Sequence, residues 1–365
     1  MKIKIFGAGS IGNHLAHACR WNNWEVTICD SDAQALERTK TSIYPGRYGR
    51  WDETIRLLRT DEPDVEKYDL VIIGTPPDSH MALAFKVMKT SEPKVILIEK
   101  PLCTPSLDGC DELLDLAEST GITVLVGYNH TLTENSTTVA DLLKDSIIGT
   151  VLTISAGVRE HWGGILSAHP WLDGPKDSYL GYSERGGGAC GEHSHSINIW
   201  QYFAHLAGAG RVNEVSAVMD VVDDGIVKYD RLCQISLKTE NGLVGLIVQD
   251  VITKPPQKSV RIQGDIGFID WYVNYDASHD AVRYGGSGLE TVEKLISKTR
   301  PDDFKSVIGH IEKILEGESL DSPIRLERGL ESMMVIAGAY LSHDLGRTVK
   351  IDYEKGFNYN ALNPV

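Results

Sequence analysis

The chain has 365 residues, of which 42% are hydrophobic and 24% charged, and its formal net charge is −15 at pH 7. This length is too great for one ordinary domain, and the composition is that of a folded globular protein rather than a disordered one. The excess of acid makes the chain a poor general binder of nucleic acids or anionic membranes, because both repel it. A local basic patch is compatible with this net charge, so the composition allows a substrate that carries phosphate.

Cysteine usage and hydropathy indicate the compartment. Six cysteines are spread along the chain without a CxxC pair and without the spacing of a zinc site. Several of them lie in apolar runs and are expected to be small buried side chains, as is usual in a reducing compartment. No apolar run reaches the ~18 residues that span a bilayer, and Met1 leads directly into a strand pattern rather than a signal peptide. The sequence therefore predicts a soluble cytoplasmic protein that holds no metal and binds neither nucleic acid nor membrane.

The first third of the chain alternates short apolar runs with segments of helical periodicity. Strands are predicted at 2–6, 25–29, 70–74, 95–98 and 123–126. Helices are predicted from a glycine-rich loop to residue 21, at 79–90 and at 107–119. This alternation predicts a parallel sheet with helices on both faces, over residues 1–127.

The pattern changes after Gly127. Short connections such as Glu240-Asn241-Gly242 indicate an antiparallel sheet in this part. Helices are predicted from about Glu192 to Leu206, over 304–315 and over 326–344. Residues 128–365 are therefore expected to form a second, α/β domain. Its predicted strands are 150–158, 212–218, 231–237, 243–251, 259–263 and 268–273.

The segment Gly7-Ala8-Gly9-Ser10-Ile11-Gly12 is a GxGxxG motif between the first predicted strand and the first predicted helix. Its first glycine permits a tight turn, its second lets the backbone approach a diphosphate, and its third lets helix and strand pack closely. The helix N-terminus then offers free N–H groups to the phosphates. Asp30 ends the second strand, where a carboxylate accepts hydrogen bonds from the adenosine ribose and repels a 2′-phosphate. Because Ser31 and Asp32 follow it rather than a basic residue, NAD is favoured over NADP.

Two further strand ends supply candidate site residues. Thr75-Pro76-Pro77 forms a rigid turn at the carboxyl end of strand 70–74, where ligands bind in such folds. His80 either contacts the cofactor or packs at the start of the next helix. Glu99-Lys100-Pro101 follows strand 95–98, and the proline keeps Lys100 extended, pointing into the same crevice as the glycine loop. An ammonium there can stabilise negative charge that develops on a reacting oxygen.

These motifs, followed by Gly127-Tyr128-Asn129-His130 and by Ala339-Tyr340 and Gly346-Arg347 in the final helix, resemble those of a known family. It is the glucose–fructose oxidoreductase, inositol 2-dehydrogenase and rhizopine-catabolism (Gfo/Idh/MocA) family, and the resemblance covers most of the chain. The resemblance implies an N-terminal Rossmann domain and a C-terminal α/β domain with a large, mostly antiparallel open sheet. It also implies NAD(P)-dependent oxidation of sugars, cyclitols or related alcohols, and a homodimer or homotetramer.

In this family a lysine like Lys100 and a histidine on a helix flank the reacting carbon. His195 matches that histidine, within the stretch Gly186-Gly187-Gly188-Ala189-Cys190-Gly191-Glu192-His193-Ser194-His195-Ser196-Ile197-Asn198. The first acid of the family pattern aligns with Gly191, unless Glu192 takes its part, and Asn198 occupies the place of the second. This departure leaves the helper acid open, and His193 competes with His195.

The residue types support His195 independently of the resemblance. An imidazole titrates near neutral pH and can accept a hydroxyl proton as hydride leaves the same carbon. Glu192, His195 and Asn198 are three residues apart and are predicted to share one face of a single helix. The alternative is a structural role for the histidines in capping or packing.

The predicted site residues fall into three groups. The catalytic residues are Lys100, His195 and Glu192. The cofactor-binding residues are Gly7, Gly9, Ser10, Ile11, Gly12, Asp30, Thr75, Pro76, His80, Glu99, Lys100 and Asn129. The substrate-binding residues are Lys100, Arg159, Tyr179, Arg185, His193, His195 and Asn198.

Three functions are compatible with these residues. The leading one is a dehydrogenase that moves a hydride between NAD and a carbinol carbon of a small sugar-like substrate. The second is an enzyme that retains NAD and uses transient oxidation for glycoside cleavage or epimerisation. The third is a protein that binds NAD or a sugar without turnover, which the presence of both Lys100 and His195 disfavours. The sequence does not identify the sugar.

Overall fold

The computed structural model describes residues 1–318 and 321–365. Its first part contains six strands, β1 (Lys2–Phe6), β2 (Glu25–Asp30), β3 (Arg56–Arg59), β4 (Leu70–Ile73), β5 (Val95–Ile98) and β6 (Thr123–Val126). They pair in parallel in the order β3-β2-β1-β4-β5-β6. The helices between them are α1 (Ser10–Trp21), α2 (Ala33–Arg38), α3 (Tyr44–Tyr48), α4 (His80–Thr90) and α5 (Cys110–Thr120). The predicted Rossmann-type sheet is thereby confirmed.

Burial explains which of these strands the sequence reveals. Every residue of β4 and β5 is buried, and such continuous apolar runs are typical of parallel strands covered on both faces. Strand β3 was not predicted, because Arg56-Leu57-Leu58-Arg59 has a single buried residue and lies at the edge of the sheet. An edge strand is half solvated, so its apolar signal is weak.

The second part of the chain folds around a ten-stranded sheet. Strands β7 and β10 are parallel and the other neighbours are antiparallel, which confirms the mostly antiparallel sheet that was expected. The order is β14-β13-β12-β11-β7-β10-β9-β8-β15-β16, where the strands are β7 (Val151–His161), β8 (Val212–Asp223), β9 (Lys228–Thr239), β10 (Val244–Asp250), β11 (Ile252–Gly264), β12 (Gly267–Tyr272), β13 (His279–Gly286), β14 (Leu289–Ser297), β15 (Val349–Ile351) and β16 (Leu362–Pro364).

Helices cover one face of this sheet and join it to the first part. They are α6 (Glu134–Lys144), α7 (Trp162–Ser167), α8 (Gly188–Glu192), α9 (His195–Leu206), α10 (Arg300–Leu315) and α11 (Leu326–Leu345). Helix α9 packs on β7 and β10, and α11 packs on β8 and also reaches β6. Helix α10 packs against α1 of the first part. The two sheets are therefore fixed to one another by elements that come late in the chain.

The single helix predicted from Glu192 to Leu206 is wrong. Helix α8 ends at Glu192, and α9 begins only at His195. His193 has φ −95° and ψ 22°, which is outside the helical region, so the chain changes direction there. Glu192 and His195 consequently do not share a face of one helix.

All six cysteines are buried free thiols, whereas the sequence predicted burial for several of them. Burial raises the pKa of the Cys29 thiol, and such buried thiols behave as small apolar side chains. None of the helices in the described ranges has the combined length and apolarity that crossing a bilayer requires. The cytoplasmic location stays a prediction.

Candidate active site

A cleft of about 1010 Å³ lies between the carboxyl ends of the parallel strands and the inner face of the antiparallel sheet. Gly9, Thr75, Glu99 and Asn129 border it from the first part and the segment that follows β6, each just beyond a strand end. The second part contributes the residues Glu160, Tyr179, Arg185, Glu192, His193, His195, Lys258 and Arg300. Crevices at the carboxyl ends of strands are where open α/β sheets bind ligands.

The three glycines of the GxGxxG motif meet different surroundings. A Cβ on Gly7 would lie 2.6 Å from the carbonyl oxygen of Gly74, and φ of Gly7 is +106°, so a side chain is excluded there. A Cβ on Gly12 would lie 2.0 Å from the carbonyl oxygen of Gly7. At Gly9 nothing stands within 4 Å of the Cβ position, and Gly9, Ser10 and Ile11 line the cleft. The loop therefore offers bare backbone at the start of α1, which fits a bound diphosphate.

Asp30 is tied to this loop. Its Oδ2 accepts a hydrogen bond of 2.8 Å from the backbone N–H of Ala8, and its Oδ1 accepts one of 2.9 Å from Asp32. Each carboxylate oxygen has a second lone pair that these bonds leave free. The carboxylate thus stands beside the glycine loop with acceptor capacity for a ribose hydroxyl.

Thr75 and Pro76 line the cleft, but His80 does not lie among its lining residues. The imidazole of His80 is fully buried. Its Nε2 lies 2.7 Å from the carbonyl oxygen of Thr75, and its Nδ1 lies 3.1 Å from that of Pro101. His80 therefore joins two loops at the edge of the cleft, and its expected contact with the cofactor is corrected to a structural role.

Lys100 follows β5 and reaches across the cleft to the second part of the chain. Its ammonium donates to the backbone carbonyl oxygen of Glu192 at 2.7 Å and to the Glu192 Oε2 at 3.1 Å. The hydroxyl of Tyr179 donates to the same Oε2 at 3.2 Å. An ammonium has three donors, so one of them stays available to a ligand.

The carboxyl groups on either side of Lys100 titrate in opposite directions. Burial alone would raise the pKa of Glu192, but the charge of Lys100 and its hydrogen bond outweigh it and hold the pKa below its ordinary value. Burial raises the pKa of Glu99 to about 7, although the charge of Lys100 opposes this. Glu192 is therefore ionised at neutral pH, whereas Glu99 is close to its titration midpoint.

Three histidines meet on the wall opposite the glycine loop. The ring centroids of His130 and His195 are 4.4 Å apart. Burial, followed by the nearby charges of His130, Lys100 and Lys258, holds the pKa of His195 well below its usual value. Burial also lowers the pKa of His193 to about 4. Both imidazoles are consequently neutral at pH 7. Within the described part of the chain, Nδ1 of His195 and Nε2 of His193 are buried without a hydrogen-bond partner.

Two predicted substrate-binding residues do not lie among the cleft-lining residues. Arg159 alternates along β7 with Val158 and Glu160, which line the cleft, so its side chain points to the other face. There its Nε pairs with Asp250 at 2.6 Å. Asn198 is buried, and its Nδ2 donates to Ser332 at 3.2 Å, because α9 turns that position toward α11. Both expectations of substrate contact are corrected accordingly.

Other predicted residues do reach the cleft. Arg185 lines it, with its Nε 2.7 Å from an oxygen of Asp78. Tyr179 and His193 also line it. Together with Lys100 and His195, they place most of the polar side chains predicted from the sequence around one cleft.

Five charged residues that line the cleft were not predicted from the sequence, namely Arg47, Glu160, Asp177, Lys258 and Arg300. Lys258 pairs with Glu160 at 3.1 Å, and Glu160 lies 3.8 Å from Nδ1 of His193. The strand period of two places Glu160 on the face of Val158, so its inward direction was readable once β7 was extended to residue 161. Nothing local marks Arg47 or Arg300, which come into the cleft through the packing of helices.

Two family models match the chain. Residues 1–128 match the model described as "Oxidoreductase family, NAD-binding Rossmann fold", and residues 136–270 match the "GFO/IDH/MocA C-terminal domain". No curated protein sequence matches the chain.

Solved structures share the fold at low identity. An oxidoreductase from Agrobacterium radiobacter in complex with NAD+, L-tartaric acid and magnesium is 20% identical, with a TM-score of 0.73, and the match covers 96% of this chain and 98% of that one. Levoglucosan dehydrogenase in complex with NADH and levoglucosan is 18% identical, with a TM-score of 0.74 and the same coverage. An oxidoreductase from Desulfitobacterium hafniense described as putatively NADPH-dependent is 17% identical, with a TM-score of 0.75, covering 96% and 97%. The two family models together span most of the chain, and the protein belongs to the GFO/IDH/MocA family of NAD-binding oxidoreductases.

Proposed function

We propose that the protein is an NAD-dependent dehydrogenase that transfers a hydride between the nicotinamide and a carbinol carbon of a sugar, a cyclitol or a related derivative. One observation carries this proposal. Lys100 and His195 come from different halves of the molecule and border one cleft, which the glycine loop borders as well. A dinucleotide whose phosphates lie on that loop can present its ring between these two side chains.

The cofactor would be held by residues that fit it. Gly9, Ser10 and Ile11 border the diphosphate position, Asp30 stands at the ribose position, and the buried Oδ1 of Asn129 lacks a partner among the described residues. Bound NAD supplies an acceptor for the hydride. The carboxylate of Asp30 supports NAD over NADP, because it would repel a 2′-phosphate.

His195 is suited to remove the hydroxyl proton. Its lowered pKa keeps the imidazole neutral at pH 7, so a ring nitrogen can accept a proton. As the O–H proton passes to His195 and the hydride leaves the same carbon, the carbinol becomes a carbonyl. The imidazolium that forms would then release its proton to solvent, favoured by the same low pKa.

Lys100 is suited to stabilise the oxygen that loses the proton. Two of its donors hold the carbonyl and the carboxylate of Glu192, which fixes the direction of the ammonium. The remaining donor can bind the reacting oxygen and stabilise its partial negative charge before the carbonyl forms. Glu192 acts through Lys100 in this scheme and is a positioning residue.

The other polar residues of the cleft favour a substrate with several hydroxyl groups. Tyr179, Arg185 and His193 border the cleft together with the Lys258–Glu160 pair, and they offer both donors and acceptors to sugar hydroxyls. A screen of sugars and cyclitols, monitored by NADH absorbance, identifies the substrate.

The test of this function uses Lys100→Ala and His195→Ala. Each variant is expected to lose most turnover while it still binds NADH, which fluorescence titration measures. Lys89→Ala is the matched control, since Lys89 is exposed on α4 and does not line the cleft. Near-normal turnover in both variants would overturn the proposal, and turnover without net consumption of NAD+ would favour an enzyme that retains the cofactor.

We also infer that two copies pair through the outer face of the ten-stranded sheet. Val244 and Leu246 alternate along β10 with buried neighbours and are 54% and 43% exposed, and Val218 on β8 is 67% exposed. Apolar side chains grouped on one sheet face are typical of a protein interface. The occupant we assign to this face is a second copy of the chain.

A further inference from the structure

Helices α1 and α10 lie side by side and run in the same direction. The imidazole of His14 stacks on the ring of Phe304, with centroids 4.6 Å apart and planes 5° apart. Two turns further along both helices, Asn22 Nδ2 donates to Glu312 Oε2 at 3.2 Å. In both contacts the α10 residue follows its partner by the same number of positions along the chain, as is expected when two helices run parallel. Extended back by one turn, this register brings Arg300 beside Ser10, at the glycine loop.

A second arginine reaches the same turn of α1 from the first part of the chain. Arg47 Nη1 donates to the carbonyl oxygen of Ser10 at 2.8 Å, and Nη2 donates to the Ser10 hydroxyl at 2.7 Å. Burial, and further the like charge of Arg300, lower the pKa of Arg47. Both arginines border the cleft. Two guanidinium groups therefore converge where the glycine loop becomes helix.

These two arginines differ from the other cations of the cleft. Lys100 pairs with Glu192, Lys258 with Glu160, and Arg185 with Asp78. By contrast, neither Arg47 nor Arg300 forms an ion pair with any carboxylate in residues 1–318 and 321–365. Like charges held together without a counter-ion repel each other, so this point of the cleft favours an anion.

We propose that Arg47 and Arg300 bind the diphosphate of the cofactor at the point where the glycine loop becomes α1, and so clamp it between the two parts of the chain. The inference rests on the proposed NAD-binding function. A dinucleotide diphosphate carries two negative charges, and a guanidinium binds phosphate oxygens in a bidentate manner. Arg300 comes from α10 of the second part and Arg47 from α3 of the first, so the bound diphosphate ties the two halves together. Removal of one arginine therefore weakens NADH binding and accelerates its release.

Arg300→Gln is the decisive variant, because none of the hydrogen bonds within residues 1–318 and 321–365 involves its guanidinium, which lies over the Phe304 ring at 5.4 Å from the centroid. The loss of a charged hydrogen-bonding pair predicts a rise of about 10- to 100-fold in the NADH dissociation constant. Inorganic pyrophosphate, used as a competitor of NADH, should lose affinity in parallel. Arg231→Gln is the control, since Arg231 pairs with Asp220 on exposed strand residues and does not line the cleft.

Equilibrium fluorescence titration measures the affinity for NADH, and stopped-flow fluorescence measures the rate of its release. Neither measurement requires turnover. Unchanged NADH affinity and unchanged pyrophosphate competition in Arg300→Gln overturn the clamp while the proposed NAD function stands. A higher KM for substrate with unchanged NADH binding assigns Arg300 to the substrate and overturns it as well. If the wild-type protein itself fails to bind NADH, the proposed function fails first. Arg47→Gln should raise the NADH dissociation constant in the same way, and because it also loses hydrogen bonds to Ser10 and Ala168, its melting temperature is measured beside the titration.

Discussion

The ammonium of Lys100 contacts Glu192 twice, at 2.7 Å through the backbone carbonyl and at 3.1 Å through the carboxylate, although 92 positions separate the two residues. The first contact depends on the end of α8, where the carbonyl of Glu192 is free of a helical partner. The second joins the end of a Rossmann strand to the second part of the chain. The orientation of the lysine is thus set by both halves of the molecule.

Glu192→Gln tests this positioning role. The amide keeps the size of the side chain but removes the charge that holds the ammonium, so we expect kcat to fall by about 10-fold or more. The affinity for NADH should remain within about twofold. Steady-state kinetics and fluorescence titration measure the two effects. Glu184→Gln, an exposed acid on the same connection, is the control, and an unchanged kcat in Glu192→Gln would remove Glu192 from the mechanism.

The pH dependence of alcohol oxidation should report His195. Burial, followed by the charges of His130 and Lys100, holds the pKa of His195 well below 6.5, and the neutral form is the base. Activity is therefore retained as the pH falls through 6.5 and is lost only at lower pH, where the imidazole becomes protonated. The profile of kcat/KM against pH measures this limb. His193→Gln should keep the limb, whereas an acid limb with its midpoint at or above 6.5 that persists in Glu99→Gln is incompatible with His195 as the base.

Asp30→Asn tests the choice of cofactor. The amide oxygen can still accept from the N–H of Ala8, but the charge that repels a 2′-phosphate is gone. We expect the ratio of kcat/KM for NAD+ over NADP+ to fall by about 10-fold or more, mainly through a gain with NADP+. A wild-type enzyme that prefers NADP+, or a ratio that does not move, would contradict the assignment of Asp30.

Leu246→Glu tests the outer sheet face. A carboxylate in the centre of an apolar interface is costly to desolvate, so the variant should elute as a species of lower mass. Light scattering coupled to size-exclusion chromatography measures the mass of both proteins. Val65→Glu is a matched control because Val65 is 96% exposed in the first part of the chain. A wild-type protein that is monomeric at micromolar concentration rejects the dimer.

The sequence predicted those site residues that lie in short motifs at the ends of strands. Asp30 ends β2, the glycine loop, Thr75 and Lys100 follow the ends of other strands, and a parallel sheet brings such ends together. Prediction failed for Asn198, because α9 packs on α11 and that position faces Ser332 rather than the cleft. The shared face of Glu192 and His195 failed for another reason, since the chain leaves the helical conformation at His193 and no local preference marks this break.

Long-range packing explains the residues that were missed altogether. Arg300 enters the cleft because α10 lies parallel to α1, and that register rests on contacts such as His14 with Phe304. Composition and periodicity identified α10 as an amphipathic helix but carry no information on its partner. Glu160 was missed for a simpler reason, since the predicted strand ended at Val158 and the structural strand ends at His161.

The buried carboxyl of Asp230 should make stability depend on pH. It accepts hydrogen bonds from Tyr340 at 2.7 Å and from the backbone N–H of Cys190 at 2.7 Å, and so anchors the turn that leads to Glu192. Burial raises its pKa from 3.8 to about 6, although these hydrogen bonds oppose the shift. Between these pH values the native protein holds a proton that the unfolded chain has lost. The associated stability is full below pH 3.8 and is lost as the pH rises to about 6.

Asp230→Asn removes this titration. The difference in melting temperature between the variant and the wild type should therefore shift in favour of the variant as the pH rises from 4 to 6 and should stay level above 6. The pKa shift of Asp230 corresponds to about 3 kcal/mol. This is the upper bound for the change in the free energy of unfolding of the wild type relative to the variant. Thermal unfolding in matched buffers measures it, with Asp220→Asn as the exposed control. Parallel curves for Asp230→Asn and wild type would mean that Asp230 is already ionised at pH 4, because the hydrogen bonds from Tyr340 and Cys190 would then outweigh the cost of its burial.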